Sequence, residues 1–220
     1  LQLVGGGELR LFDIDRAATD KLQRNLAPFA RELGVHITVA ASTAEAVRGA
    51  DIVTTVTADK TNAVILDADM LAPGMHINAV GGDCPGKTEL AAEVLRRGSV
   101  FVEYEPQTRI EGDLQQMPAD FAVTEFWRVV QGEVPGRTSQ AQITIFDSVG
   151  FALEDYSALR TMHELGRQAG LLARIELIPA LHDPKDLFAM LGQGAALERA
   201  AAAQREAAPV HHLRPLRKAA

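Results

Sequence analysis

Residues 75–83, MHINAVGGD, decide how this chain folds. An alternating apolar run ends in two glycines and an aspartate, a pattern typical of a β-strand that exits into a tight loop. The run 51–56, DIVTTV, precedes it and reads as another buried strand. Between the two runs, residues 67–71 predict a helical turn, which stops at Pro73 and Gly74.

The same alternation continues outward in both directions. Short β-branched runs take turns with stretches whose apolar residues recur at helical spacing. This rhythm predicts an α/β fold with a doubly wound parallel sheet, whose ligands lie at the carboxyl ends of the strands. Further strands are predicted at 8–12, 35–40, 99–104 and 142–146, and helices at 17–33, after a capping box at 42–45, from Thr88 through Leu95, and at 126–130.

Composition narrows the possible functions. The 220 residues include 22 Lys and Arg against 29 Asp and Glu, a formal net charge of −7 that offers nucleic acid no general attraction. No apolar stretch approaches the roughly 20 residues that span a bilayer, so no membrane role is expected. A single cysteine, Cys84, excludes an intramolecular disulfide and suits a cytoplasmic protein.

Asp13 follows the first predicted strand. An acidic side chain there can bind the ribose hydroxyls of an adenine dinucleotide, which favours NAD over NADP. It can equally start a turn and cap the next helix together with Asp15, and Arg16 could accommodate a phosphate. The expected glycine-rich turn, about 20 residues earlier, is not in the chain, because the glycines at 5–7 lie too close. The first strand of the sheet is therefore expected to be missing.

The segment 78–90, NAVGGDCPGKTEL, is the most unusual in the chain. Its glycines allow close backbone approach to a flat ring, and the loop presents Asp83 and Lys87. A carboxylate beside a nicotinamide could orient a substrate ammonium and carry protons to and from nitrogen. The alternative is a turn with a helix-capping aspartate. Thr57, beyond the end of its strand, is a further candidate for contact with a cofactor.

The rest of the chain carries less chemistry. Residues 103–113 are predicted to form a charged surface loop with no catalytic role. No metal-ligand spacing and no Ser-His-Asp arrangement is evident. After residue 151 we expect a longer amphipathic helix that ends near Gly170, and a last strand at 174–178.

Several segments of this sequence closely resemble the ornithine cyclodeaminase family. They are VTADK at 56–60, PGMHINAVGGDCPGKTEL at 73–90, VEYEPQTRIEG at 102–112 and IFDSVGFALEDY at 145–156. The likeness covers most of residues 8–190, and the run GGDCPGKTEL is highly specific. The fold implied is a Rossmann domain joined to a dimerisation and substrate domain.

The resemblance also implies a reaction and its residues. The family converts L-ornithine to L-proline and ammonia through an imine, with NAD regenerated in each cycle. Asp83 matches the catalytic aspartate, which also contacts substrate, and Val149 lies at the substrate. The positions that match cofactor contacts are Asp13, Thr57, Asn78, Ala79, Val80, Lys87 and Ser148. No metal is implied.

The domain organisation follows from the same comparison. Residues 1–149 are expected to form a partial NAD-binding Rossmann domain, 150–190 the C-terminal part of the dimerisation and substrate domain, and 191–220 a disordered tail. The partners implied are L-ornithine and a second copy of the chain. If these residues are the whole protein, impaired NAD binding and little activity are expected. Another amino acid or a ketimine as substrate, or an inactive NAD-binding remnant, remain alternatives.

Overall fold

The computed structural model describes residues 7–58, 63–173 and 185, and the chain divides into two compact units, Leu1–Glu164 and Leu165–Ala220. Strands and helices alternate through the first unit. The strands are β1 (Glu8–Leu11), β2 (His36–Val39), β3 (Ile52–Thr55), β4 (His76–Ala79), β5 (Ser99–Val102), β6 (Thr124–Glu125) and β7 (Thr144–Asp147). The helices are α1 (Arg16–Leu33), α2 (Thr43–Val47), α3 (Ala92–Arg97), α4 (Glu105–Glu111), α5 (Phe126–Val130) and α6 (Ala152–Gln168).

All strand pairs are parallel, which confirms the predicted α/β class. Within the described part of the chain they form two sheets, one of β1 and β2 and one in the order β3-β4-β7-β5-β6. Among the described residues no strand lies against the second edge of β1 or the outer edge of β3. Over the ranges that the structure describes, the predicted single sheet is therefore interrupted between β1 and β3.

One face of the five-stranded sheet carries the core. Along β3 and β4 every second residue is buried, as the alternation of side chains across a strand requires. Ile77 and Ile145 are completely buried at adjacent positions of the paired strands β4 and β7. Val94 and Leu95 of α3 complete this cluster from the helical layer.

Local signals account for several helix ends. Ser42 accepts a hydrogen bond from the Glu45 amide at the start of α2, as the capping box predicts, and Glu45 accepts the amide of Ala41, one residue before the cap. Asp15 caps α1 by accepting hydrogen bonds from two backbone amides of the first turn. Gly34 ends α1 with a φ of 67°, the left-handed conformation that glycine adopts without steric cost.

The helix predicted from Thr88 is wrong at its start. α3 begins at Ala92, and Leu90 instead forms a parallel bridge with Leu66. The amides of Glu89 and Leu90 donate to Asp113, so a long-range carboxylate holds this stretch in an extended form. Capping propensity at Thr88 is a local signal, and the tertiary contact overrides it.

The predicted charged loop at 103–113 is also wrong, because it contains α4. Glu105 pairs with Arg109, and Gln107 donates to Glu111, both at the spacing of one helical turn. Pro106 lies in the first turn, where its missing amide donor costs nothing. The predicted strand at 174–178 and the tail at 191–220 lie outside the described residues. None of the described helices is long and apolar enough to cross a bilayer.

Candidate active site

Loops that follow β3, β4, β5 and β7 meet at the carboxyl edge of the five-stranded sheet. Thr57 follows β3, the glycine-aspartate loop follows β4, Glu103 follows β5 and Ser148 follows β7. Since all four strands run in parallel, their exits share one edge. The predicted site residues Thr57, Asp83 and Ser148 therefore follow strands that end at the same edge of the sheet.

Lys87 links the two most important of these loops. Its ammonium nitrogen lies 2.8 Å from the Thr57 carbonyl oxygen and 3.3 Å from Asp83 Oδ1. The Lys87 side chain is 2% exposed, whereas the Asp83 side chain is 57% exposed. The Lys87 ammonium is thus buried beneath the loop, and the Asp83 carboxylate is exposed to solvent. An ammonium has three N–H donors, and these contacts use two of them.

Glu89 reaches the same threonine from the other side. It is 1% exposed, and its Oε1 accepts hydrogen bonds from the Thr57 amide, at 3.0 Å, and from the Thr57 hydroxyl. A Cβ on Gly81 would overlap the Glu89 carboxyl group. Glycine is therefore required at 81 because a buried carboxylate lies directly behind the loop.

Two further carboxylates lie below the loop. Asp113 Oδ1 accepts the amides of Glu89 and Leu90 at 2.9 and 2.8 Å. The two oxygens of Asp147, at the end of β7, accept the amides of Asp113 and Leu114 at 3.1 and 2.7 Å. These contacts form a continuous line of carboxylate-to-amide hydrogen bonds from β7 to Glu89.

Burial dominates the protonation of this pair. Removal from water, together with the neighbouring Glu89 charge, raises the pKa of Asp113 to about 6. Burial and the charge of Asp113 raise the pKa of Asp147 to about 7. Each carboxylate accepts hydrogen bonds from two backbone amides. These bonds favour the ionised form and lower its pKa, but their effect is smaller than that of desolvation.

Glu103 organises the exit of β7. One carboxylate oxygen accepts the Ser148 hydroxyl at 2.6 Å, and the other accepts the Val149 and Gly150 amides at 3.1 and 2.7 Å. Gly150 has a φ of 71°, so the chain turns sharply there. The side chain at 103, predicted to lie in an inert loop, thus holds the predicted cofactor and substrate positions Ser148 and Val149.

The remaining predicted residues lie elsewhere. Asp13 lies in the loop after β1 of the two-stranded sheet, is exposed, and accepts the Asp15 amide at 2.7 Å. Asn78 contacts His76 and Thr54 through its side chain. Ala79 is buried in the core and its carbonyl accepts the Ser148 amide, while Val80 is 37% exposed. The structure connects Thr57, Asp83 and Lys87 directly and leaves Asp13 and Asn78 outside that network.

Sequence reasoning missed four residues of this region: Glu89, Glu103, Asp113 and Asp147. Each is a carboxylate that accepts backbone amides from a segment distant in sequence. The only local signal was the position of Glu103 and Asp147 at strand ends, which also marks ordinary turns. Gln115 was missed as well, although it accepts the Gly86 amide and donates to the carbonyls of Cys84 and Lys87.

The parallel sheet, with polar residues at its carboxyl edge, defines a protein of the Rossmann-type α/β class, and comparison with known proteins identifies its family. The model of the ornithine cyclodeaminase/mu-crystallin family matches residues 2–169. The chain belongs to this family.

Related sequences agree. An ornithine cyclodeaminase from Brucella melitensis is 52% identical over 189 residues, which cover 86% of this chain and 52% of that protein. One from Agrobacterium fabrum is 50% identical over 197 residues, covering 90% of this chain and 54% of its own. A ketimine reductase mu-crystallin from mouse is 32% identical and covers 66% of this chain and 45% of its own. The chain spans about half the length of these relatives.

Solved structures share the fold. A lysine cyclodeaminase that recognises L-lysine, L-ornithine and L-2,4-diaminobutyric acid aligns with a TM-score of 0.70 at 28% identity, covering 82% of this chain and 52% of its own. An archaeal alanine dehydrogenase dimer with bound NAD aligns at 0.68 with 26% identity, covering 78% of this chain and 53% of its own.

Proposed function

We propose that this chain carries the cofactor side of an ornithine cyclodeaminase, which converts L-ornithine to L-proline and ammonia with NAD. The observation that carries the proposal is the Asp83 carboxylate, presented to solvent and held by a buried ammonium at the carboxyl edge of the sheet. Sequence identities of 52% and 50% to two bacterial ornithine cyclodeaminases support L-ornithine as the substrate.

The residues present fit NAD. Gly81 and Gly82 are buried against the carboxyl groups of Glu89 and Asp113, so the backbone that carries the exposed Asp83 has a defined position at the edge where NAD would bind. The exposed Asp13 carboxylate has acceptor capacity for ribose hydroxyls beyond the single amide it accepts. The Lys87 ammonium has one N–H beyond its two contacts, and the Ser148 hydroxyl, which donates to Glu103, can still accept a hydrogen bond near the strand ends. When bound, NAD would accept hydride from the substrate α-carbon and return it to the cyclic imine.

Asp83 would manage the protons of this reaction. An exposed carboxylate can hold the ammonium groups of the substrate and accept a proton as an amine becomes the nucleophile. The same group can return that proton as ammonia leaves. Lys87 holds one oxygen of the carboxylate, so the other faces the substrate, and Val149 would border the substrate from the exit of β7.

The predicted division into a Rossmann part at 1–149 and a dimerisation and substrate part from 150 remains part of this proposal. A homodimer is supported by the dimeric alanine dehydrogenase of the same fold. Reduction of a ketimine is the second candidate, because the mouse relative carries that activity in its name.

The test is proline formation from L-ornithine and NAD by the wild-type chain, Asp83→Asn and Asp120→Asn. Asp83→Asn keeps the shape of the side chain and removes the base, so we expect turnover to fall by about 10²- to 10⁴-fold. Asp120 is exposed and distant in sequence from the loop, so its variant should match the wild type.

Equal turnover in Asp83→Asn and Asp120→Asn would contradict the role of Asp83. NADH oxidation with a cyclic ketimine, without proline formation from ornithine, would replace the first candidate by the second.

A further inference from the structure

Glu89 is a charged side chain in the interior of the protein. It is 1% exposed and lies two residues after Lys87, on the segment that leaves the glycine-aspartate loop. A carboxylate in such a place is costly unless hydrogen bonds hold it. Its contacts therefore identify what it is there to hold.

Those contacts are concentrated on one residue of another loop. Oε1 of Glu89 accepts both the amide and the hydroxyl of Thr57, which is 32 residues away in sequence. The Thr57 carbonyl accepts the Lys87 ammonium at 2.8 Å. All three polar groups of Thr57 are thus taken by two side chains of a single segment.

The carboxyl group of Glu89 also lies against the loop after β4. It occupies the space into which a side chain at 81 would project, so the backbone of Gly81 rests on it. Glu89 therefore touches the exit of β3 and the exit of β4 at once. Lys87 reaches Asp83 from the same segment, 3.3 Å from its Oδ1.

The Glu89 backbone is itself anchored. Asp113 accepts its amide at 2.9 Å, and Asp147 accepts the amide of Asp113 at 3.1 Å. Because Asp147 lies at the end of β7, these hydrogen bonds connect the Glu89 backbone to the sheet, while its carboxylate binds Thr57. Both ends of the side chain are therefore held, which restricts movement between the exits of β3 and β4.

We propose that Glu89 is a positioning residue, which locks the Thr57 exit against residues 81–83 and so fixes the distance between Asp83 and the cofactor side of the site. The inference rests on the proposed function for what Asp83 and Thr57 bind. The lock itself is a property of the protein without ligand.

Glu89→Gln tests the lock, with Glu93→Gln as the matched control. Glutamine keeps the volume and one acceptor but loses the charge, and a neutral acceptor bonds about half as strongly as a charged one. Amide hydrogen exchange of the full chain should therefore be about tenfold faster at Thr57 and at residues 81–83, while Ile77 and Ile145 exchange as in the wild type. Glu93 is about half-exposed on α3 and forms an ion pair with Arg96 of the same helix, so its variant should not change these rates.

Exchange at Thr57 that is equal in the two variants would overturn the inference. Uniform acceleration at Thr57, Ile77 and Ile145 would also overturn it, because that result is global destabilisation. Thr57→Val provides a second approach, since it removes the hydroxyl that Glu89 accepts and should accelerate exchange at the same positions about threefold.

Turnover separates this inference from the proposed function. Where the wild-type chain forms proline, Glu89→Gln should lower kcat about tenfold and leave the KM for ornithine within about twofold, because Glu89 does not touch substrate. An unchanged kcat would count against positioning. If the wild-type chain forms no proline, the proposed function fails, and the exchange rates still decide the role of Glu89.

Discussion

The loops that follow β4 and β1 have a similar local sequence pattern, but the first is packed against buried groups and the second is exposed. Each strand is four residues long and is followed by an aspartate, Asp83 in one case and Asp13 in the other. The loop that carries Asp83 rests on buried charged groups from two segments, Lys87 and Glu89 in one and Asp113 in the other. The loop that carries Asp13 is held by its own neighbour Asp15, and Ile14 between them is 92% exposed.

The strands themselves show the same contrast. No residue of β1 or β2 is buried, whereas β4 and β7 place Ile77, Ala79 and Ile145 in the core. Buried long-range contacts therefore fix the position of Asp83, whereas the hydrogen bond recorded for the Asp13 carboxylate is a local one to the Asp15 amide. We expect the first region to respond strongly to small changes and the second weakly.

Two glycine substitutions should give the largest difference. A Cβ at position 81 must displace the Glu89 carboxyl group from Thr57, which combines overpacking with a lost charged hydrogen bond. We expect Gly81→Ala to lower the free energy of unfolding by about 3 kcal/mol. Gly34→Ala meets open space and only the strain of a φ of 67°, at a cost of about 1 kcal/mol.

Urea unfolding of both variants would measure these free energies. Equal costs for the two substitutions would mean that the contact between Gly81 and Glu89 yields freely, and would remove the basis of the contrast.

The pH dependence of stability should sharpen the comparison next. The pKa of Asp147 is raised from 3.8 to about 7 by burial, so the folded state binds its proton more tightly than the unfolded state. Its contribution is complete below pH 4 and is lost as the pH rises to about 7. Relative to Asp147→Asn, the wild type should therefore lose stability across this window, by about 2–4 kcal/mol.

Unfolding titrations of the wild type and Asp147→Asn at pH 4, 5.5 and 7 would measure the loss. Parallel curves would show that Asp147 has no raised pKa in the folded protein.

The smallest effects are expected around β1. Asp15→Ala removes the cap of α1, where the carboxylate accepts the amides of Ala17 and Ala18 at 2.9 and 3.3 Å, and should cost about 1 kcal/mol. Asp13→Ala removes one exposed hydrogen bond and should cost about 0.5 kcal/mol. Because of its proposed contact with ribose, the same change should weaken NAD binding about tenfold and reduce discrimination against NADP.

Thermal unfolding and calorimetric titration with NAD and NADP would measure both effects, with Asp15→Ala as the control for helix stability. Unchanged NAD affinity in Asp13→Ala would assign Asp13 to the turn alone, the alternative that its sequence position leaves open.

The order of strands and helices could be predicted because each depends on local chemistry. Short apolar and β-branched runs predicted β3 and β4, and the capping box at 42–45 predicted the start of α2. The prediction failed at Thr88 and at α4. In the first case a distant carboxylate, Asp113, decided the backbone conformation. In the second case, the many charged residues of 103–113 are typical of a solvated loop, whereas in the structure they form pairs one helical turn apart, such as Glu105 with Arg109.

By itself, the sequence determined the α/β class, the strand exits and the family, since period, glycine placement and a specific loop are all written in short stretches of chain. It also singled out Thr57, Asp83 and Lys87 as members of one site. Only the tertiary structure decided that Glu89, Asp113, Asp147 and Glu103 support that site, because their partners are 23 to 47 residues away. A carboxylate that is buried and bonded to backbone amides has no local signature, and folding alone brings it to its place.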